Sequence, residues 1–168
     1  MKKLIMVLLF SSLFIFAANQ TMEVMVEVES IFELNLDRIT IDLQRMKPGE
    51  VKQDIPDNEG VKVTVKTNVG RPWYIKINNL QELSSSSTSI PNSFFYWYGY
   101  PGKNATGLWY GKGDDTFSLD PVLAYSSSAD EYNNYPIGTD VYFKFKVKIP
   151  PKQQAGLYRS TVVVTLTE

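Results

Sequence analysis

Apolar and polar residues alternate with a period of two in several stretches of this chain. Val61, Val63, Val65, Thr67 and Val69 interleave with Lys62, Thr64, Lys66 and Asn68. Val141, Phe143, Phe145, Val147 and Ile149 interleave with Tyr142, Lys144, Lys146 and Lys148. Trp73, Ile75 and Ile77 do so with Tyr74, Lys76 and Asn78, and Met22, Val24, Val26 and Val28 with Glu23, Met25, Glu27 and Glu29. A strand points successive side chains to opposite faces, so this pattern predicts half-buried strands. Leu157 to Thr167 is rich in Val and Thr, which suit a pleated surface.

Turn formers separate these runs: Pro48-Gly49, Gly70-Arg71-Pro72, Pro101-Gly102, Gly111 to Asp115, Pro136 to Gly138 and Pro150-Pro151. Asn78 to Ser93 reads as a longer polar connection with one helical turn at Leu80 to Leu83. No stretch beyond the N-terminal region holds a 3.6-residue period. Many short strands with frequent turns predict one all-β domain, a sandwich or barrel. Its expected core is Val63, Val65, Trp73, Ile75, Ile77, Phe143, Phe145, Val147, Leu157, Val162 and Val164. Thr21 to Ser30 is expected to pair within its own chain and leave the isolated protein monomeric. Glu23, Glu27 and Glu29 are expected to lie near Lys144, Lys146 and Lys148.

The N-terminus changes the picture of where the domain works. Lys2 and Lys3 precede an apolar run from Leu4 to Phe16, followed by Ala17 and Ala18. The run is shorter than the roughly 20 residues of a membrane span. Residues 1–18 therefore read as a cleavable signal peptide, and residues 19–168 as a single secreted β-sandwich domain. No integral membrane span is expected after cleavage. The cleaved chain keeps 15 basic residues against 18 acidic ones without a basic block, which argues against nucleic acid as a partner.

The chain has no Cys and no His. Its core must hold without disulfides. Ser-His-Asp and Cys-His catalysis and the usual zinc sites are excluded.

Val61-x-Val63-x-Val65-x-Thr67-Asn68-x-Gly70-x-Pro72-Trp73-x-Ile75 and Ile149-Pro150-x-x-Gln153-x-Ala155-Gly156-x-Tyr158, followed by Val162-x-Val164-x-Leu166-Thr167, resemble a loose group of bacterial surface β-sandwiches. The group includes pilin-like spore-coat-U-type proteins and WxL-type wall-associated domains. The resemblance implies an exported, immunoglobulin-like antiparallel β-sandwich at the cell surface. It carries over no ligand-binding residue: Val164-Thr165-Leu166 stands where WxL-type domains have a second Trp-x-Leu, and the disulfides frequent in spore-coat-U-type proteins have no cysteines here.

The candidate chemistry lies in Phe94 to Tyr110, which holds eight aromatic residues. Period two puts Phe94, Tyr96, Tyr98 and Tyr100 on one face and Phe95 and Trp97 on the other. Two readings follow. In one, a Tyr row is exposed and offers flat amphipathic area to sugars or proteins, with Tyr96, Tyr98, Tyr100, Trp109 and Tyr110 as ligand-binding candidates. In the other, Phe94 to Tyr110 is a hairpin covered by the Ser-rich loop.

Asp114-Asp115 and the Asp54, Asp57, Asn58 and Glu59 group lack the spacing of a calcium loop and read as solvated loop charge. Asp114, Asp115, Asp120, Asp130 and Glu131 are the carboxylates available for glycoside hydrolysis, but nothing in the sequence pairs them. No cofactor or metal is expected. The expected function is a non-catalytic, secreted structural or adhesive module whose partners are cell-surface proteins or glycans; the alternative is a carbohydrate-binding module.

Overall fold

The computed structural model describes residues 22–57 and 59–168. In chain order the strands are β1 (Phe32–Leu36), β2 (Val51–Ile55), β3 (Val61–Thr67), β4 (Tyr74–Asn79), β5 (Leu83–Ser84), β6 (Ser89–Ile90), β7 (Phe95–Pro101), β8 (Leu108–Trp109), β9 (Asp115–Thr116), β10 (Val122–Ser126), β11 (Thr139–Lys148) and β12 (Val162–Thr167). Two short 3-10 turns, Asn92–Phe94 and Ala129–Glu131, complete the elements, and the described residues form no α-helix. The protein is all-β, and every ladder is antiparallel.

One sheet runs β1-β3-β11-β7-β9, with β2 also on β11. The second runs β12-β4-β10-β8, and β5 pairs β6 alone. β11 organises the larger sheet because its ten residues outlast any single partner. On one edge β3 pairs Thr139 to Phe143 and β2 takes over at Phe145 to Lys148, while β7 pairs Val141 to Val147 on the other edge. The handover is marked by a bulge: Phe145 faces Ile55 and Val147 faces Lys52, so β2 carries one extra residue. Asp54 sits in that bulge at φ 58°, a left-handed conformation that Asp tolerates better than most residues.

The core lies between the two sheets. Val61, Val63 and Val65 of β3, Phe95 and Trp97 of β7, and Val141, Phe143, Phe145 and Val147 of β11 meet Trp73, Ile75 and Ile77 and Tyr125 of β10. In β3 and β11 strict alternation matches the burial pattern position by position.

Several expectations fail. Met22 to Ser30 forms no strand, and its apolar side chains stand in solvent: Met22, Val24, Val26 and Val28 are 76–86% exposed. The segment is tied to the domain only at its end. Asn68 Nδ2 donates to the Glu29 carbonyl at 2.8 Å, and Ile31 N–H donates to Asn68 Oδ1 at 2.7 Å. Glu23, Glu27 and Glu29 therefore do not face the lysines of β11. Lys144 and Lys146 pair instead with Asp54 and Asp114. Thr21 and the signal segment lie outside the described residues.

Leu157 is 70% exposed, not core, because the last strand begins only at Val162; Val162 and Val164 are half-buried. Leu80 to Leu83 has no helical turn, since Leu83 is drawn into the β5–β6 ladder opposite Ile90.

Candidate binding surfaces

Phe94 to Tyr110 is not a hairpin. β7 lies in the larger sheet and β8 in the smaller one, with the chain crossing between them. The crossing is clamped to the start of β11. Gly102 N–H donates to the Asp140 carbonyl at 2.8 Å, and Asn104 bonds both Gly138 O and Asp140 N–H.

The five candidate aromatics are split accordingly. Phe95 and Trp97 point into the core, which turns Tyr96, Tyr98 and Tyr100 outward on the solvent side. Trp109 points inward from the other sheet. Its ring meets Trp97 edge-on at 6.1 Å and Phe143 at 5.2 Å. Gly99 makes room for it: a Cβ there would stand 2.9 Å from the Trp109 ring and collide with the Tyr142 carbonyl. The indole N–H groups of Trp97 and Trp109 have no hydrogen-bond partner among the described residues. Tyr110 is exposed beyond β8, apart from the tyrosines of β7 in the fold.

The outward face joins β7 to β11 in a checkerboard. Tyr100 is opposite Tyr142, Tyr98 opposite Lys144, and Tyr96 opposite Lys146. The Tyr100 and Tyr142 rings stack at 5.2 Å and 17°. Lys146 Nζ lies 5.2 Å above the Tyr96 ring and 2.7 Å from Asp114 Oδ1, and that hydrogen bond raises its pKa.

The tyrosine hydroxyls are held by β2 and the loop after it. Tyr98 donates to Asp54 Oδ1 at 2.7 Å and accepts from Asp54 N–H at 2.6 Å, so the bulge in β2 fixes this ring. Burial, and then the Asp54 carboxylate, push the Tyr98 phenol up to about 12. Tyr100 donates to Glu59 O at 2.8 Å. The covering comes from these residues, not from the Ser-rich segment, where Ser84 and Ser85 pack toward Arg159 and Gly156.

Of the candidate acids, Glu131 is buried and has a structural role. One oxygen accepts from Tyr125 OH at 2.5 Å and Thr106 N–H at 2.9 Å, the other from Ser128 N–H at 2.7 Å. Ser128 and Glu131 form a capping box on the short turn. Asp114 is exposed on Lys146, and Asp120 and Asp130 lie on the surface. No group of acids capable of holding a metal occurs among the described residues.

A third surface, outside the sequence-derived candidates, is an apolar groove of about 1270 Å3 at the open side of the two sheets. Its floor is Phe95, Phe143, Phe145 and Val147, and its walls are the segment 38–46, the connection 153–161, and Val162 and Val164 of β12. A signal in the chain that could have pointed to it is the alternation of Ile39, Ile41 and Leu43, a run that enters no ladder. Comparison with family models, with curated proteins and with solved structures returned no match.

Proposed function

We propose that this chain is an exported, immunoglobulin-like β-sandwich that serves as a non-catalytic structural or adhesive module at the cell surface. The observation that carries this reading is the groove. It encloses about 1270 Å3, and hydrophobic side chains form its floor. Such a surface suits capture of a polypeptide segment rather than acid–base chemistry, which needs convergent titratable groups. The buried carboxylate of Glu131 already accepts three hydrogen bonds from its own chain, which supports a structural use.

A second reading is supported by the checkerboard of Tyr96, Tyr98, Tyr100 and Tyr142: stacked rings at the surface suit the flat face of a sugar.

The test begins with cells expressing the full chain. The expected product starts near Asn19 and is cleaved by protease added to intact cells. A cytoplasmic product that retains Met1 would overturn the surface reading. Tyr96→Ala/Tyr100→Ala decides the second reading: glycan binding that this variant abolishes would make the outward tyrosines the functional surface.

A further inference from the structure

The chain has no cysteine, so no disulfide can join its strands. A different covalent link lies within reach on the outward face of the larger sheet. Tyr100 of β7 and Tyr142 of β11 are direct cross-strand partners. Their rings stack at 5.2 Å and 17°. No other two tyrosines pack ring on ring among the described residues.

Both rings are held in place. Tyr100 is anchored at its far end, where its hydroxyl donates to the Glu59 carbonyl at 2.8 Å. Tyr142 rests against Gly102: a Cβ there would stand 3.2 Å from Tyr142 Cε2, so glycine leaves the ring its room. The ladder fixes the two backbones, since β7 pairs β11 from Val141 to Val147. Solvent still reaches the pair, with Tyr100 39% exposed and Tyr142 half-buried.

We propose that Tyr100 and Tyr142 are a site of oxidative cross-linking, where a haem peroxidase supplied with hydrogen peroxide couples them into dityrosine. Each phenol loses one electron and its hydroxyl proton. Burial, and then the charge of Glu59, raise the pKa of both phenols, so at neutral pH the proton leaves with the electron. The two phenoxyl radicals join through a Cε carbon of each ring, and the hydrogens on those carbons pass back to the oxygens. In sum two C–H bonds break and one C–C bond forms. The two electrons and two protons reduce one hydrogen peroxide to two waters.

The arrangement of the face directs coupling to this pair. Tyr98 and Tyr96 stand opposite Lys144 and Lys146, not opposite another phenol. Tyr98 is also held by Asp54 through two hydrogen bonds. Tyr110 and Tyr135 are more exposed than Tyr100 but have no tyrosine ring against them. The link would close the chain from Tyr100 to Tyr142 into a ring that contains β8, β9 and β10. A cross-link between residues far apart in sequence removes conformations from the unfolded chain, as a disulfide does.

The test treats dilute protein, purified from cells expressing the full chain, with horseradish peroxidase and limiting hydrogen peroxide. The expected product is a monomer lighter by two hydrogen atoms, with dityrosine fluorescence and one linked peptide pair containing Tyr100 and Tyr142. Even a flexible tether supplies an effective concentration of ~1 mM, so at ~10 μM protein the internal link should exceed links between copies by about a hundredfold. The linked monomer should melt at a higher temperature than untreated protein. Tyr100→Phe and Tyr142→Phe keep both rings and the ladder, and neither should give the lighter, fluorescent monomer. Tyr110→Phe/Tyr135→Phe should cross-link like wild type.

Dimers as the first product, oxygen added to Met or Trp without loss of hydrogen, or a link joining any other pair overturns the proposal. So does a Tyr142→Phe variant that yields the same linked monomer as wild type. None of these outcomes depends on export: a cytoplasmic chain defeats the surface reading alone, and an unlinked pair defeats the cross-link alone.

Discussion

At the scale of single residues, the polar groups that look chemical in the sequence are mostly structural. Glu131 was one of five carboxylates that nothing in the sequence could rank. Its role depends on Tyr125, six positions away, and on Thr106, from a different connection. Tyr125 OH also accepts the Gly107 N–H at 2.7 Å, so one buried phenol and one buried carboxylate hold three loops together. Glu131→Gln places an amide NH2 where at least one donor already points. Hydrogen bonds to a charged group contribute roughly 1.5–3 kcal/mol each, so we expect a loss of about 2–3 kcal/mol in urea unfolding. An unchanged midpoint would show that an amide serves these donors as well as the carboxylate does.

The alternation along β3, β4 and β11 was legible because each has one face in the core and one in water. β1, β2 and β10 were not legible. They are five residues each, and β2 and β10 are bulged, which breaks the period that sequence reading depends on. The N-terminal run shows the opposite failure. Alternation records that two faces differ; it does not say that a partner strand is there to pair with. The aromatic stretch failed for a third reason. Period two separated its inward and outward rows correctly within β7, but proximity in sequence suggested a hairpin where the chain crosses between sheets. β11 carries the most weight among the elements, since it has neighbours on both edges. Phe145 on it is buried, with Phe95 at 6.0 Å and Phe117 at 5.9 Å. Phe145→Ala removes the contact joining β11 to β7 and the chain beyond β9, and is expected to cost ~3–5 kcal/mol in chemical denaturation. A melting temperature equal to wild type would contradict the packing of this strand.

For the whole molecule, the cysteine-free core leaves tyrosine ionisation as the clearest chemical stress on the fold. Tyr125 ties the smaller sheet to the Glu131 turn, and Tyr98 ties β7 to the bulge of β2. In both, burial is the main cause that raises the phenol pKa above its ordinary value of 10.0, and a facing carboxylate adds to it. Such a shift means that the folded state favours the protonated phenol over the phenolate. The stability it contributes is complete below pH 10 and is lost as the pH rises through the folded value, about 12 for Tyr98 and higher still for Tyr125. Urea midpoints should therefore show no tyrosine-linked change between pH 7 and 9 and fall from about pH 10 upward. Tyr98 and Tyr125 should gain tyrosinate absorbance only well above pH 10, read as the part of the alkaline rise that is missing when both are replaced by Phe. The Tyr98→Phe/Tyr125→Phe double variant should start from a lower midpoint at neutral pH and decline less steeply through the alkaline range. If Tyr98 and Tyr125 instead ionise near pH 10 while the fold persists, neither phenol is held as described, and the two links do not limit the alkaline stability of the molecule.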